Sequence, residues 1–526
     1  MTLEKIYTKK VDLSHRKQYA QFFTPEAIAD LMVDWVLKNK SLEKVLEPAF
    51  GLGVFTRLLL QKKPLLDIKG FDVDSTIFEM ANSVFSSFLN VNLILEDYLF
   101  NDWNNKYDGI LCNPPYFKFQ DYENKTAINE IKKRLNIKLN GFTNIYTLFL
   151  LKSIYQLNEG GKAAYIIPSE FLNSDYGKFV KQYLIETNTL KHLIIFDFKE
   201  KVFDDALTTS AILLLSKDTY TQNVHFSNIK NQSQFEAISK YIKGKKVSFP
   251  KKTMPLKTLN PNVKWRSYYQ KQLSKQYKNL VPFNKVAKVV RGIATGANAY
   301  FVFNSEKVTT YQLPTTSLLP CITKSKDVQS PFFTPNNFND LKAKNANVFL
   351  FNAGKTPTET KVLEYISLGE EQLIHKKYLT SKRNPWFILE NRPPSPIWVS
   401  VFNRNKVKFV RNEAEISNLT TFHCIYLKKD IFNKIDVDLL FAYLLTDIAK
   451  EIFSDNRREY GDGLKKFEPN DLNNGLMLDL SLLSKQEVKK IKNLYFKYRH
   501  SVLEKNENQD LIRQIEFILK RKYSAT

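Results

Sequence analysis

Hydrophobic positions in the first 216 residues follow two alternating patterns. Short apolar runs that end at glycine, proline or an acid are typical of buried strands, and apolar residues at helical spacing are typical of helices. Strands are predicted from Val45 and at 68–73, 93–96, 108–112, 163–167, 192–198 and 210–215, and helices from Thr24 and at 54–61, 75–89, 144–157 and 178–186. The alternation predicts an α/β fold with a mostly parallel sheet, helices on both faces, and the last two strands paired as an antiparallel hairpin at one edge.

Local signals mark where several helices begin. Thr24 followed by Pro25 is typical of a helix start, because a hydroxyl can cap the first free N–H groups and proline fits the first turn. Ser484 with Glu487 forms a capping box ahead of an amphipathic helix. Helical spacing also appears over 439–453 and 511–519. We expect the terminal helices to brace the fold.

Past Ser216 the alternation loosens into short strand candidates and proline-rich loops. With 526 residues the chain is long enough for two or three domains. We predict a first domain at 1–240, a basic linker at 241–280, a mixed α/β domain at 281–480 and a C-terminal helical segment at 481–526.

The charge is strongly basic, with 78 Lys and Arg against 54 Asp and Glu, for a net charge of +24. Between Glu236 and Glu306 there is no acid, while fifteen Lys and Arg fall in that interval. Such a stretch suits phosphate contacts or a solvated linker. Interleaved Trp265, Tyr268 and Tyr269 favour nucleic acid, because bases stack on aromatic rings.

Other compositional features narrow the class of protein. The three cysteines are widely separated and the six histidines form no cluster, so neither a disulfide framework nor a metal site is expected. The longest apolar run, 439–445, is far too short to span a membrane. A soluble cytoplasmic protein is therefore expected.

The stretch Asn113-Pro114-Pro115-Tyr116 follows the predicted strand at 108–112. Proline disfavours the helical region for the residue before it, so the Asn113 side chain and the Pro114 carbonyl should point in fixed directions. Two fixed acceptors could each take one N–H of a planar amino group, such as that of adenine, and free its lone pair for attack. A tight turn after a strand is the competing interpretation.

Three other strands end in residues suited to a ligand. A glycine turn containing Gly51 and Gly53 follows the first strand, Asp72 ends the second and Asp97 follows the third. Carboxyl ends of parallel strands share one edge of a sheet, so these residues should converge with Asn113. A full Gly-x-Gly-x-x-Gly is missing, which favours a nucleoside without a pyrophosphate.

In this order, five stretches resemble the amino-methyltransferases that use S-adenosylmethionine, and most closely the gamma-class N6-adenine DNA methyltransferases. They are Phe22-Phe23-Thr24-Pro25, Glu47-Pro48-Ala49-Phe50-Gly51-Leu52-Gly53, Asp72, Asp97-Tyr98 and Asn113-Pro114-Pro115-Tyr116. The resemblance covers roughly the first 216 residues and continues thinly at 291–298 and 460–469.

The resemblance implies a class I S-adenosylmethionine-dependent methyltransferase sheet followed by a target-recognition domain. The cofactor would be S-adenosylmethionine, held by Phe22, Thr24, Glu47, Ala49, Gly51, Asp72, Val73, Asp97 and Tyr98. Asn113 and the Pro114 carbonyl would orient the target amino group, and Tyr116 would stack on the extruded base. Phe203 would clamp that base. Arg291, Thr295 and Asn298 flank the glycines of the stretch at 291–298, which could serve contacts to DNA bases or simple turns.

The implied function is site-specific methyl transfer to N6 of a flipped adenine in double-stranded DNA, without a metal, and the resemblance allows a separately encoded restriction endonuclease as a partner. Three alternatives stay open. One is an RNA or protein-glutamine methyltransferase on the same fold. Another is a nuclease fusion using the acid-x-lysine triplets at 67–69 or 197–199. The third is a DNA-binding protein with a degenerate methyltransferase fold.

Overall fold

The computed structural model of the chain describes residues 2–116, 124–141, 143–196, 210–218, 220, 222–270, 272–390, 392–403, 407–428, 435–459 and 465–525. The chain forms two compact units. The first covers Met1–Lys271 and Glu459–Gly463, and the second covers Gln272–Arg458 and Leu464–Thr526.

The first unit alternates strands and helices. Its strands are β1 (Lys44–Glu47), β2 (Asp67–Asp72), β3 (Val91–Leu95), β4 (Tyr107–Cys112), β5 (Leu157–Pro168), β6 (Leu190–Phe196), β7 (Ser210–Ser216), β8 (Asn223–Ile229) and β9 (Lys252–Pro255). Its helices are α1 (Leu3–Lys10), α2 (Leu13–Gln18), α3 (Glu26–Val36), α4 (Val54–Lys62), α5 (Ser75–Phe85), α6 (Asn124–Leu135), α7 (Ile145–Gln156), α8 (Gly177–Glu186), α9 (Gln232–Ile242) and α10 (Arg266–Tyr269).

Within the described residues of this unit, nine strands form one sheet in the order β3-β2-β1-β4-β5-β7-β6-β8-β9. Strands β1 to β5 pair in parallel with one another, and β7 runs antiparallel between β5 and β6. The predicted mixed sheet is confirmed. The prediction that the hairpin of β6 and β7 lies at the edge of the sheet was wrong. Strand β8 pairs with β6, and β9 pairs with β8, so two further strands lie beyond the hairpin. Strand β8 interleaves polar residues with apolar ones, so it lacks the continuous apolar run that marked the other strands.

Successive residues of the central strands face two separate cores. In β4, Ile110 and Cys112 pack in the core that contains residues of α6, α7 and α8, whereas Leu111 packs with residues of α3, α4 and α9. Helices therefore cover both faces of the sheet. Burial on both sides explains why these strands read as unbroken apolar runs in the sequence.

The basic stretch predicted as a linker contains β9 and α10, and the boundary between the units falls inside it. Trp265 is fully buried in the core of the first unit, and its Nε1 donates to the Asn260 carbonyl at 3.2 Å. Tyr268 packs against Phe226, with ring centroids 5.6 Å apart. The interpretation of Trp265 as a nucleic-acid contact was therefore wrong, because its large apolar ring gains more from burial in the core.

The second unit is a mixed α/β structure of shorter elements. Its strands are β10 (Leu280–Pro282), β11 (Ala287–Arg291), β12 (Val302–Phe303), β13 (Leu318–Ile322), β14 (Phe332–Phe333), β15 (Phe349–Phe351), β16 (Ile397–Ser400), β17 (Phe402–Asn403), β18 (Phe409–Asn412), β19 (Ser417–Asn418), β20 (Phe422–Leu427), β21 (Arg458–Glu459), β22 (Lys465–Lys466) and β23 (Leu476–Leu478). Its helices are α11 (Asn298–Phe301), α12 (Ser305–Thr310), α13 (Pro335–Ala343), α14 (Thr360–Glu371), α15 (Val437–Leu445), α16 (Asp447–Ser454), α17 (Pro469–Asn473), α18 (Lys485–Leu503) and α19 (Gln509–Tyr523).

Two larger sheets organise this unit, in the orders β11-β20-β16-β18-β14 and β12-β15-β13-β19. The capping box before α18 is confirmed, because Ser484 Oγ accepts from the Glu487 N–H at 3.2 Å and Glu487 Oε2 accepts from the Ser484 N–H at 2.7 Å. The helix predicted over 439–453 is instead two helices, α15 and α16. They are separated at Thr446, whose hydroxyl caps α16 by accepting from the Ala449 N–H at 3.2 Å.

Candidate functional site

The strand order of the first unit reverses beside β1, because β2 and β3 lie on one side of it and β4 and β5 on the other. Ligand crevices in such sheets open at the carboxyl ends of the strands that flank the reversal. Residues that follow β1, β2, β3 and β4 line a cavity of about 290 Å³. This volume is close to the lower limit of small-molecule sites, roughly 300 Å³.

The turn after β1 brings backbone groups to the cavity. Gly51 and Gly53 have left-handed φ angles of +55° and +66°. A Cβ on Gly53 would lie 2.7 Å from the rings of Phe50 and Phe85, so the packing of the turn requires glycine there. The Gly51 N–H donates to Asp72 Oδ2 at 2.9 Å, which fixes the turn against the end of β2.

Glu47 is the last residue of β1 and is only 2% exposed. Its Oε2 accepts from the Thr56 hydroxyl at 2.6 Å and from the Thr56 N–H at 3.2 Å. Burial raises the pKa of Glu47 to about 8, and the hydrogen bonds from Thr56 offset only part of that rise. The free carboxyl group is therefore largely protonated at neutral pH and would ionise when a cation enters the cavity.

Asp72 ends β2, and both of its oxygens hold backbone groups. Oδ1 accepts from the Asp74 N–H at 3.0 Å, and Oδ2 accepts from Gly51. Burial raises the pKa of this carboxyl group. Each carboxylate oxygen can accept two hydrogen bonds, so lone pairs remain for the hydroxyl groups of a ligand. Val73 is 56% exposed and lines the same cavity.

Asp97 and Tyr98 follow β3 and have different surroundings. Asp97 is partly exposed, and its Oδ1 accepts from the Leu99 N–H at 2.8 Å. Tyr98 is buried, and its hydroxyl donates to Gln156 Oε1 at 2.6 Å. Asp97 is therefore the more accessible of the two polar side chains at this wall of the cavity.

Helix α7 holds the loop after β3 with polar side chains that the sequence analysis missed. Lys152 Nζ donates to the carbonyls of Tyr98 and Asn101, and Gln156 Nε2 donates to the Asn105 carbonyl at 3.1 Å. Burial lowers the pKa of Lys152 to about 7. A lysine within an otherwise apolar helix was the available signal, because lysine is rarely fully buried without partners.

Asn113 follows β4, and its amide is held in one orientation. Nδ2 donates to the Phe22 carbonyl at 2.6 Å and to the Thr24 hydroxyl at 3.0 Å. A carbonyl oxygen can only accept, so the amide nitrogen must face it. Asn113 Oδ1 is buried and has no hydrogen-bond partner among the described residues, although Asn113 lines the cavity. Buried polar atoms are nearly always paired, so this oxygen is an acceptor left for a ligand.

The contact with Asn113 changes the role assigned to Thr24. Helix α3 begins at Glu26 with Pro25 as its N-cap, and no side chain caps it. The prediction that the Thr24 hydroxyl caps this helix was wrong, because that hydroxyl accepts from Asn113 instead.

Tyr116 is partly exposed and is fixed at both ends. Its hydroxyl donates to the Ile166 carbonyl at 3.1 Å, and its ring stacks on Phe22 with centroids 5.7 Å apart and an interplanar angle of 19°. Phe22 therefore covers one face of the ring that the sequence analysis assigned to base stacking. Pro114 is buried, and Pro115 lines the cavity.

Helix α1 contributes Glu4 to the wall of the cavity, and side chains of α1, of α2 and of the residues after α2 bind Asp74, which sequence reasoning also missed. Asp74 Oδ2 lies 2.8 Å from His15 Nε2 and accepts from Gln21 Nε2 at 2.6 Å and from the Tyr7 hydroxyl at 3.4 Å. Burial raises the pKa of Asp74, but the hydrogen bonds from His15, Thr76 and Gln21 outweigh it and leave the pKa lowered. A charged Asp74 thus ties α1 and α2 to the start of α5.

The nine residues assigned to the cofactor all line this single cavity: Phe22, Thr24, Glu47, Ala49, Gly51, Asp72, Val73, Asp97 and Tyr98. Asn113 lines it too. Phe203 lies outside the residues that the structure describes. The acid-x-lysine triplet at 67–69 lies on β2, where Lys69 Nζ pairs with Asp102 at 2.6 Å.

In the second unit, residues 291–298 form a loop in which several polar groups are hydrogen-bonded within the loop or to Arg383. Thr295 is 2% exposed, and its hydroxyl donates to Asn298 Oδ1 and accepts from the Ala297 N–H at 3.1 Å. Arg383 donates to the carbonyls of Ala294 and Thr295. Arg291 is largely exposed and lies 3.4 Å from Glu468. Of the three residues assigned to DNA, Arg291 is the one whose side chain is free of the loop itself.

The parts of the chain that the structure describes contain no group of three or more His, Cys, Asp and Glu side chains arranged to hold a metal ion. No helix there is long and apolar enough to cross a membrane.

Comparison with known families assigns both halves of the chain. Residues 9–252 match the family described as N-6 DNA Methylase, and residues 266–511 match the C-terminal domain of the type II methyltransferase M.Eco57I. The first match contains the cavity and the second contains the loop over 291–298.

Two relatives extend over most of the chain. The type II methyltransferase M.AccI from Acinetobacter calcoaceticus is 55% identical over 525 residues, which is 99% of this chain and 97% of the relative. The type II methyltransferase M.HindII from Haemophilus influenzae is 24% identical over 450 residues, covering 82% of this chain and 81% of the relative.

Solved structures share the fold at low sequence identity. The type IIL restriction-modification enzyme MmeI, solved in complex with DNA, has a TM-score of 0.62 at 12% identity and covers 98% of this chain and 77% of its own. The DrdV–DNA complex has a TM-score of 0.53 at 13% identity and covers 94% of this chain and 58% of its own. The 55% identity to M.AccI over nearly the whole chain and the match to the N-6 DNA Methylase family establish that the chain belongs to the type II methyltransferases of that family and is a site-specific DNA methyltransferase.

Proposed function

We propose that this enzyme transfers a methyl group from S-adenosylmethionine to N6 of an adenine turned out of duplex DNA. The observation that carries the proposal is Asn113, whose amide nitrogen is held by Phe22 and Thr24 while its oxygen has no hydrogen-bond partner among the described residues around the cavity. Such an acceptor suits a ligand that brings an N–H group to this point.

The cavity has the donor and acceptor set that the cofactor needs. Asp72 would accept from the ribose hydroxyls, Asp97 would accept from the adenine amino group, and the glycine turn at Gly51 would let the methionine part approach the backbone. Glu47 would hold the cationic ammonium group. When bound, S-adenosylmethionine supplies a methyl group on a positively charged sulfonium.

The chain's contribution at the target nitrogen is orientation. Asn113 Oδ1 and the Pro114 carbonyl would each accept one N–H of the target amino group, which draws its lone pair out of conjugation with the ring. A neutral amide is a poor base, so Asn113 would hold the amino group without removing its proton, and the surplus proton would leave to solvent after the N–C bond has formed and the S–C bond has broken. Positioning of this kind can supply much of a rate enhancement, because it fixes the reacting atoms before the reaction.

The target base would stack on Tyr116 after leaving the helix, at a cost of about a few kcal/mol of pairing and stacking. Phe22 now stacks on that ring, so either the base takes the opposite face or Phe22 moves. Phe203 would hold the other side of the extruded base, because it belongs to the loop between the last two predicted strands.

We further propose that the first domain, 1–240, carries the chemistry and that 281–480 recognises the DNA sequence, with 241–280 connecting them and 481–526 bracing the fold. The net charge of +24 favours a polyanionic partner. Double-stranded DNA in the cytoplasm is the proposed substrate, and a separately encoded restriction endonuclease is the proposed companion in a restriction-modification pair.

Methyl transfer from labelled S-adenosylmethionine tests the proposal directly. Duplex DNA should become labelled at adenine N6 at one sequence, while structured RNA and protein should not. Sequencing of DNA from cells that express the chain would give the flanking bases. Labelling of RNA in preference to DNA would overturn the proposed substrate, and labelling at cytosine would overturn the proposed atom.

A further inference from the structure

A basic segment with an exposed aromatic ring follows α14 in the second unit. It consists of residues 373–383, which contain four Lys and Arg and no acid. Tyr378 is 71% exposed, and Lys382 Nζ lies 3.8 Å from its ring centroid. Lys376 is the last residue of a short 3₁₀ turn, Lys377 follows it directly, and both are exposed. Bases stack on exposed aromatic rings and lysines pair with phosphates, so this combination of side chains suits nucleic acid.

The base of this segment is held firmly. The buried Thr380 donates from its hydroxyl to the carbonyls of Ile374 and Lys377. Arg383 donates to the carbonyls of Ala294 and Thr295. The 373–383 segment therefore presents Tyr378 and its lysines from a fixed support.

The same contacts explain the loop over 291–298. A Cβ on Gly296 would lie 2.7 Å from Leu379 Cβ, so glycine at this position allows the 373–383 segment to pack closely. The carbonyls of Ala294 and Thr295 are taken up by Arg383, and the Thr295 hydroxyl is taken up within the loop. The loop over 291–298 therefore packs against the 373–383 segment and supports it.

We propose that the 373–383 segment is a DNA-contacting surface, with Lys376, Lys377 and Lys382 on phosphates and Tyr378 against exposed bases. The inference rests on the proposed function, and it names the part of the second unit that meets the substrate. Under this inference the 373–383 segment contacts the DNA, and Thr295 and Asn298 support that segment instead of contacting the DNA themselves.

Two variants test the surface in the full chain. Tyr378→Ala should weaken binding of target duplex roughly tenfold. The combined change of Lys376, Lys377 and Lys382 to Gln should lower the slope of log Kd against log salt by about 0.9 for each lost phosphate contact. Tyr220→Ala, at a position 94% exposed, and Gln replacements of Lys485, Lys489 and Lys490 are matched controls that should leave both quantities unchanged.

Cofactor affinity separates a failure of this inference from a failure of the proposed function. All the variants should bind S-adenosylhomocysteine as the wild type does, because the 373–383 segment belongs to the second unit. Wild-type DNA affinity and salt slope in both test variants would overturn the inference while methyl transfer continued. Absence of transfer by the wild type would instead overturn the proposed function.

A different observation concerns Thr24. Its hydroxyl accepts from Asn113 Nδ2, and Thr24 lines the cavity, where it is 5% exposed. A hydroxyl that accepts one hydrogen bond still carries its own hydrogen. The described residues provide no acceptor for that hydrogen in the contacts of Thr24. It is therefore free to meet an acceptor on a ligand in the cavity.

We infer that Thr24 is a positioning residue that couples the two substrates, and this inference also rests on the proposed function. A cofactor group that accepts from the hydroxyl fixes its rotation, which keeps its lone pair toward Asn113. The amide oxygen is then held toward the target amino group. Binding of the cofactor should accordingly strengthen binding of a duplex that contains the target.

Thr24→Val removes the hydroxyl and nearly preserves the shape. It should abolish the tightening of DNA binding by S-adenosylhomocysteine and lower the rate of methyl transfer at saturating substrates about tenfold. Thr24→Ser should restore both, and Thr258→Val, at an exposed site of the same unit, should change neither. Intact coupling in Thr24→Val, with only a weaker cofactor Kd, would overturn the inference. The coupling is measured by binding alone, so it does not depend on proof of the target atom.

Discussion

Two glycine-containing loops of this protein, which the sequence analysis assigned to ligands, have different surroundings in the structure. The turn at Gly51 and Gly53 lines a cavity with acids and an amide around it. The loop containing Gly292 and Gly296 uses its hydroxyl and carbonyl groups within its own unit. Both loops were assigned to ligands from sequence. The difference teaches that a binding site is identified by polar atoms that the surrounding residues leave unpaired, as the described residues leave Asn113 Oδ1 beside the first loop, and only the fold decides this.

Asn113→Ala should have the largest effect. It removes the unpaired acceptor that distinguishes the cavity, and methyl transfer should fall about 10³-fold, the magnitude expected for losing one preorganised polar group at a reacting centre. Binding of S-adenosylhomocysteine and of duplex DNA should persist. Single-turnover transfer with labelled cofactor measures the rate. A rate close to that of the wild type would show that Asn113 is not needed for methyl transfer and would reject the assignment of the cavity as the reaction site.

Gly292→Ala tests the structural side. A Cβ there would lie 2.3 Å from the Leu419 carbonyl oxygen, and a backbone atom cannot easily retreat. We expect the second unit to lose about 3 kcal/mol of stability. Denaturant unfolding measures the loss, and Gly141→Ala, where the added atom meets nothing within 4 Å, is the control. Equal stability of the two variants would contradict the tight packing of this loop.

Arg383→Ala should have a smaller effect on the same loop. It leaves the carbonyls of Ala294 and Thr295 without their partner, which should cost about 2 kcal/mol. DNA affinity should fall with it, while affinity for S-adenosylhomocysteine should not change. Arg513→Ala, on an exposed side chain of α19, is the matched control. A loss of cofactor affinity in Arg383→Ala would break the separation between the two loops.

The last predicted effect is on cofactor affinity at Glu47, and it depends on pH. The free enzyme holds a proton on Glu47 up to about pH 8, and a bound ammonium group would displace it. Cofactor affinity should therefore rise with pH toward 8, at most about tenfold per pH unit. Calorimetry in buffers of different ionisation enthalpy would detect the released proton. Glu47→Gln should bind without this release, and unchanged proton release in that variant would reject the assignment.

The same pKa predicts a stability trend in the free enzyme. The folded pKa of Glu47 lies above the ordinary value of 4.5, so the folded state holds the proton more tightly than the unfolded chain. Its stabilising contribution is complete below about pH 4.5 and is lost as the pH rises to 8. The difference in unfolding free energy between the wild type and Glu47→Gln should change over this interval.

The sequence was sufficient for the parts of the fold whose signals are local. Continuous apolar runs marked β1, β4 and β7, and their chain order with the intervening helices predicted the sheet edge where Gly51, Asp72, Asp97 and Asn113 meet. Strand β8 was not predicted, because its polar and apolar residues are mixed. Hydrophobic patterns in the sequence identify strands that are buried on both faces of the sheet, but they identify partly exposed strands poorly.

Contacts between distant residues account for most of what sequence could not predict. Thr24 meets Asn113 across 89 positions, and Gln21 meets Asp74 across 53. Trp265 was assigned to nucleic acid from its neighbours in the chain, but it packs in the core with Leu172. The residue type was informative in each case, and the partner was set by the fold.

The anchoring of the N-terminal helices has a practical consequence for handling the enzyme. The recognisable motifs begin only at Phe22, yet Tyr7 and His15 bind Asp74 beside the cavity, and Glu4 pairs with Arg57 of α4. A shortened chain that starts at the first motif would expose the apolar wall around Phe23 and lose the order of the pocket.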